Sequence, residues 1–470
     1  MKNFFIISSI ILFLSCSTDL ESLNVDQKNA TSAPADAFFN LAVKNMSDLL
    51  SGITYGATAN PWNSSRLLVQ QISSVTYNEG TTYFIEFNWN SVYQNVLINL
   101  KKSTDVLENA KASSDPTLQN KLAILEIMQV YTYSKLVESF GNIPYSEALD
   151  VNNITPKYDD AETIYIDLLN RLSAAINNLD ESQTSWKQDI MYSGNVTNWK
   201  KFGKSLQLQM GMRIVDSNLQ LATKTITEAI PGVFSSNEDN AKLLHLSSPP
   251  NTAELWTDLA VGNRKDYVGA KPFVNLLNAL KDPRKTVYFQ PVNGEYVGSP
   301  SGLVVNYNNY SKFGEIFYQP TTPVIFLDYA SVEFFLAEAA ERNIGSVNDP
   351  EAHYNAAIKA SFEYYGVGES IDVYLAQQEV AYATASGSWQ QKIATQKWLA
   401  LFNQSPEGYT EWRRMDYPTL NAPPDSFINT VPVRFRYPIS EQTLNSENYQ
   451  SAASAIGGDL MTSKLFWDKN

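Results

Sequence analysis

The chain has 470 residues, 44% of them hydrophobic and 18% charged, with 35 basic against 49 acidic side chains and a formal charge of −14. An aromatic content of 12% with so little charge excludes general disorder, and a single cysteine, Cys16, excludes a disulfide framework. An acidic balance without a long basic run excludes a nucleic-acid partner, and the length suffices for one large core or two to three smaller ones.

Lys2 precedes an apolar stretch, Phe4 to Leu14, broken only by Ser8 and Ser9 and closed by Ser15-Cys16. It is too short for a bilayer, which takes about 20 residues, and reads as the core of a secretory signal. A small residue directly before the sole cysteine is what a bacterial lipoprotein signal requires. Residues 1–15 are therefore expected to be removed, Cys16 to be lipidated, 16–33 to form a polar tether, and 34–470 to form the body. Phe13 departs from the usual leucine at its place. More than one acyl chain would make attachment stable. No later stretch is long and apolar enough to cross a membrane, so a soluble body on a lipid tether is expected.

Helical periodicity dominates that body. In chain order it predicts helices at Ala35–Leu50, along the Tyr93, Val96, Leu97, Leu100 and Leu107 stripe, and at Leu118–Phe140, opened by Ser114-Asp115-Pro116 and stopped by Gly141. A clear stripe follows at Ala161–Leu179, then Asn198–Asp216, Leu219–Ile230, Lys271–Lys281, Asp328–Arg342, Asp349–Tyr365 and Trp389–Phe402. Alanines 337, 339 and 340, and 356, 357 and 360, permit close approach of two helices, as in stacked hairpins. Two segments break the pattern: 52–87, and 247–327 with 8 of the 21 prolines and twelve aromatics. Long irregular segments inside a compact domain are commonly functional.

Catalysis finds little support. His245 and His353 stand apart without partner ligands, and HExxH, GxSxG and phosphate-cradling glycine loops are missing from the sequence. A carboxylate pair of glycosidase type stays open on sequence alone. No cofactor or metal is expected, and the chain reads as a binding protein rather than an enzyme. Arg413-Arg414 could clamp an anion, but pairing with a buried acid such as Glu333 or Glu338 is the favoured reading. Arg213 and Glu126 invite the same one. Trp199, Trp398, Trp412 and Tyr417 are expected in the core.

Asn24-Val25-Asp26, FGNIPYSEAL (140–149), NWKKFGKSLQLQMGMRI (198–214), SVEFFLAEAAER (331–342), TQKWLALF (395–402), EGYTEWRRMDYPTL (407–420) and VPVRFRYPISE (431–441) occur in the order seen in SusD/RagB-type outer-membrane lipoproteins of Bacteroidetes, which this chain resembles over essentially its whole mature length. Gly203, Lys204 and Met415 are small departures. The resemblance implies a mostly α fold, four tetratricopeptide-like helix pairs in a right-handed superhelix with an irregular loop-rich region packed on it. It also implies a lipid-anchored position on the outer face of the outer membrane. There the protein would bind an oligosaccharide and deliver it to a SusC-like TonB-dependent transporter, with the helical stack toward the transporter and the loops gripping the ligand. The alternative is the peptide-binding lid of a RagAB-like importer.

Sugar rings present flat C–H faces that an indole or phenol can cover, while amides and guanidinium groups take the hydroxyls. The expected ligand-binding residues are therefore Trp62, Tyr77, Asn78 and Tyr83 in the first irregular segment, and Trp256, Asn263, Arg264, Asp266, Tyr267, Tyr296 and Tyr310 in the second.

Overall fold

A computed structural model describes residues 33–54, 60–110 and 115–469. The expected signal, Cys16 and all of the tether but Ala33 lie outside them. Helices α1 (Ala35–Ser51) and α2 (Ile98–Asn109), α3 (Leu118–Phe140) and α4 (Ala161–Asn177), and α5 (Val196–Arg213) and α6 (Leu219–Ala229) pack as three consecutive pairs. After α7 (Lys271–Ala279), α8 (Tyr329–Glu341) and α9 (Pro350–Tyr364) form a fourth, the most extensively packed of all. Helix α2 meets α3, α4 meets α5, and α5 meets α8, so the pairs stack in sequence. This is the mostly helical, tetratricopeptide-like arrangement expected from the motifs.

The helix boundaries follow local chemistry. Asp160, Asn195, Asn218, Asp328 and Asp349 each accept a hydrogen bond from a backbone N–H in the first turn of α4, α5, α6, α8 and α9. Helix α3 stops where Gly141 takes φ +85°. Gly203 and Gly211 let α5 lie close to its neighbours: a Cβ there would stand 2.8 Å from Ile176 of α4 and from Ile226 of α6. The predicted helix over Tyr93 opens as a π-helical turn, Val92–Leu97, before α2 begins.

Three further helices close the body. Helix α10 (Trp389–Ala400) packs on α8, α11 (Ser405–Met415) packs on α10 and reaches α1 and α3, and α12 (Ser446–Ala455) follows. Periodicity does not predict α11 or α12. Every residue of α11 is buried, and its apolar stripe is only Tyr409, Trp412 and Met415 among polar and charged residues. The strands are short and pair antiparallel in twos: β1 (Ile72–Ser74) with β5 (Tyr267–Gly269), β2 (Ile143–Pro144) with β3 (Tyr158–Asp159), and β4 (Ala241–Leu243) with β6 (Val324–Leu327). Among the described residues no helix is long and apolar enough to cross a membrane.

At the centre lies a buried lattice of charge. Lys135 Nζ is 2.6 Å from Glu407 and 3.6 Å from Glu138. Arg213 meets Glu138 at 3.2 Å, Glu407 at 2.8 Å, and Glu411. Lys397 binds Glu411 at 2.7 Å, and Arg414 binds Glu411 at 2.7 Å and Glu338 through both nitrogens of its fork. Four cations thus face four carboxylates, supplied by α3, α5, α8, α10 and α11. Arg414 pairs with Glu338 as expected, whereas Glu333 instead meets His353 at 2.6 Å. Arg413 donates to the Tyr409 and Val433 carbonyls rather than to either acid, and lies over the rings of Tyr409 and Trp467. Glu126 pairs with the half-buried Arg171. Trp199, Trp398 and Trp412 are core residues, and Tyr417 packs half-buried against the core.

Removing one member leaves an uncompensated charge buried among the rest, which costs about 3–5 kcal/mol. Arg213→Met is expected to lower the unfolding midpoint steeply by denaturant titration, whereas the exposed Lys200, paired with Glu181, should tolerate Met within about 0.5 kcal/mol. Burial raises the Glu407 carboxyl, but Arg213 and then Lys135 outweigh it and hold it at about 2, below its ordinary 4.5. A depressed carboxylate stabilises the fold fully above its unfolded value and loses that contribution as pH falls through the folded one. The thermal midpoint should therefore decline as pH drops from 4.5 towards about 2, and a midpoint constant across that window would refute the assignment.

Candidate functional site

The β1–β5 ladder sets Ser74 opposite Tyr267, and its pairing runs on past the strands. The Val75 N–H donates to the Asp266 carbonyl at 2.7 Å and the Thr76 hydroxyl to the Lys265 carbonyl at 3.3 Å. On the other side the Val305 N–H donates to the Val75 carbonyl, and the Asn78 amide to the Gly302 carbonyl. Three segments distant in sequence thereby meet. A helical turn, Glu254–Trp256 continuing as Thr257–Val261, completes the wall.

Between them opens a groove of about 650 Å³. Tyr77, Asn263, Arg264 and Asp266, four residues expected from the sequence, line it together with Thr257, Asp258, Val261, Gly262 and Lys265. Tyr77 is 55% and Val261 61% exposed. Leu303 and Val304, also exposed, follow directly on the Gly302 carbonyl that Asn78 holds.

Polar groups of the groove are tied to one another. Asp258 accepts from the Ile53 N–H at 3.0 Å and from the Thr54 hydroxyl at 2.6 Å. Arg264 donates to Asp266 at 2.8 Å and to the Thr54 hydroxyl at 3.1 Å, with its guanidinium over the Tyr267 ring. Behind this wall the Glu254 carboxyl is pushed up to about 6, first by burial and then by Asp48 and Asp258. Among the described residues no group of three His, Cys, Asp or Glu side chains is placed to hold a metal ion. His245 is buried, with Nδ1 at 2.7 Å from the Thr322 carbonyl.

Other expected ligand residues are placed differently. Trp62 is 1% exposed, with its indole N–H donating to Ser139 at 2.9 Å, so it is a core residue that shows a ligand no face. Its proline and asparagine neighbours mark a turn, but the turn folds inward. Tyr83 and Tyr267 are buried as well and act as packing. Asn78 spends its amide on the Gly302 carbonyl. Trp256 is half-buried on the helical turn outside the groove lining. Tyr296 packs under Lys285 and is held through its carbonyl by Asn278 of α7, while Tyr310 is half-buried in the turn begun by Tyr307. Sequence reasoning does not single out Asp258, Val261 or Lys265. Asp258 has no readable signal, because its partner Thr54 lies 204 residues away. Tyr307 also belongs near this region: burial first, then Tyr318 and Asp266, push its hydroxyl up.

Two other large concavities lie elsewhere. One of about 690 Å³ runs between α2, α3 and α4 beside Glu126 and Arg171, and one of about 500 Å³ lies over Trp89 and Tyr93 near Ile154 and Leu444. Neither gathers the expected loop residues. Trp62→Ala should destabilise the fold by about 3–5 kcal/mol, as removal of a buried indole does, while Tyr77→Ala should change stability by less than about 0.5 kcal/mol. Paired denaturation curves decide this, and equal stabilities would reverse the two assignments.

Comparison with known proteins agrees with the helical fold. Residues 33–438 match a SusD-like family model described as starch-binding associating with outer membrane. A solved chitin-binding protein shares 28% identity at a TM-score of 0.78, covering 93% of this chain and 100% of that one. A chitin-binding SusD homologue from Flavobacterium johnsoniae shares 25% at 0.79, covering 93% and 99%. A SusD homologue from Bacteroides fragilis, at 22% identity and 0.80 over 93% and 100%, shares the fold. No protein of curated function matches. With its four stacked helix pairs and a family match from the first helix to residue 438, the chain belongs to the SusD-like family.

Proposed function

We propose that this protein is a nutrient-uptake lipoprotein of the outer membrane that binds an oligosaccharide in the Tyr77 groove and delivers it to a SusC-like TonB-dependent transporter. The observation that carries the glycan reading is the groove itself. An exposed phenol ring and an exposed valine stand beside an amide and charged donors, on a frame similar to two chitin-binding proteins. A phenol covers the C–H face of a sugar with few rotors to freeze, and Asn263 supplies an amide at hydrogen-bonding reach of the groove. Chitin oligosaccharides are the first ligands to try.

Calorimetry on the mature protein with chitin and malto-oligosaccharides tests the reading. Tyr77→Ala is expected to cost about 2 kcal/mol of binding, as truncation of an aromatic anchor does, while the circular dichroism spectrum stays unchanged. Full affinity in Tyr77→Ala would place the site elsewhere. Attachment and delivery have their own test: Cys16→Ala should leave the protein off the outer membrane, and the wild type should carry lipid by mass spectrometry and co-purify with a neighbouring transporter in mild detergent. A wild type without lipid that always purifies alone would contradict both.

A further inference from the structure

The groove carries four formal charges among the described residues, and their arrangement restricts what can enter. Its two acids, Asp258 and Asp266, face the same volume as Arg264 and Lys265. Arg264 is already committed: its Nε donates to Asp266 at 2.8 Å, its Nη1 donates to Thr54 at 3.1 Å, and its plane rests 5.4 Å from the Tyr267 ring centroid. Its remaining N–H groups belong to a charge that Asp266 already balances at 2.8 Å, so a carboxylate or sulfate would meet no net positive charge there. Thr54 is committed in turn, because its hydroxyl donates to Asp258 at 2.6 Å. Lys265 is exposed, on a flexible stem, and offers one strongly hydrated charge.

The surroundings add more acid than base. Glu254 and Asp48 lie behind the wall beside Asp258, with Lys44 spent on Asp48 at 2.6 Å. The whole chain carries −14, a field that repels a polyanion at long range. Beside these charges the groove presents the exposed Tyr77 ring, the Val261 methyls and the Asn263 amide, a set that recognises C–H faces, acetamido methyls and hydroxyl groups.

We infer that the Tyr77 groove selects uncharged sugars and turns away polyanionic glycans such as polyuronates and sulfated chains. The inference rests on the glycan reading above and narrows it to one chemical class. Arg264, which by type alone could grip an acidic sugar, is a positioning residue that joins the segment at 53–54 to the turn at 264–266.

The mature protein is titrated with two series: uncharged chitin, malto- and xylo-oligosaccharides, and anionic oligogalacturonate, alginate and chondroitin sulfate oligomers. Each is run in about 0.05 and about 0.5 M salt, which spans weak to strong screening. At least one uncharged oligosaccharide is expected to bind, with affinity changing less than about two-fold between the two salts. Every anionic oligomer should bind at least about ten-fold more weakly. Binding of an anionic series as tight as that of the uncharged one, weakened by salt, overturns the inference and leaves glycan binding standing. No binding by either series overturns the glycan reading and the inference together.

Discussion

Four buried cations matched to four buried carboxylates hold the helical body in one arrangement. Taking eight charges out of water is expensive, and the cost is offset only if each finds its counterpart at close range. Here Lys135, Arg213, Lys397 and Arg414 do so against Glu138, Glu338, Glu407 and Glu411. Because the eight groups come from five helices spread over residues 135–414, a shift of any one helix would strand a charge. A helix that slid past its neighbours would break charge contacts of 2.5–3.6 Å as well as the apolar packing.

The groove is hung on this frame by main-chain contacts. The β1–β5 ladder and its continuation through Val75, Asp266 and Val305 use backbone groups, which leaves side chains such as Tyr77 and Val261 exposed at the surface. The clamp of Asp258, Thr54, Arg264 and Asp266 then fixes the two walls of the groove against each other. Pre-set walls reduce the ordering cost of binding, which matters for a ligand with few strong contacts.

The amphipathic helices were legible because a 3.6-residue stripe survives in any helix with one wet face. Helix α11 was not, since its stripe of Tyr409, Trp412 and Met415 is thin among the polar and charged residues buried with it. The family strings found what periodicity missed: EGYTEWRRMDYPTL spans Glu407, Glu411 and Arg414, three members of the charge lattice. In the groove, Tyr77, Asn263, Arg264 and Asp266 were singled out by residue type and loop position, but their meeting depends on a ladder of three residue pairs, too short to leave a pattern. Trp62 misled for a physical reason. A tryptophan in a turn can point either way, and the buried Ser139 hydroxyl that decides it lies on α3, 77 residues on.

The separation of lattice from groove bears on how such a fold can vary. None of the eight lattice charges is among the residues that line the groove. Residues 77 and 257–266 can therefore drift, lengthen or be exchanged with little penalty to the helices beneath, provided the backbone ladder and the clamp are kept. Descendants of one ancestral scaffold can in this way differ at the groove while folding in the same manner, and sequence divergence should concentrate at the groove and fade towards Arg213.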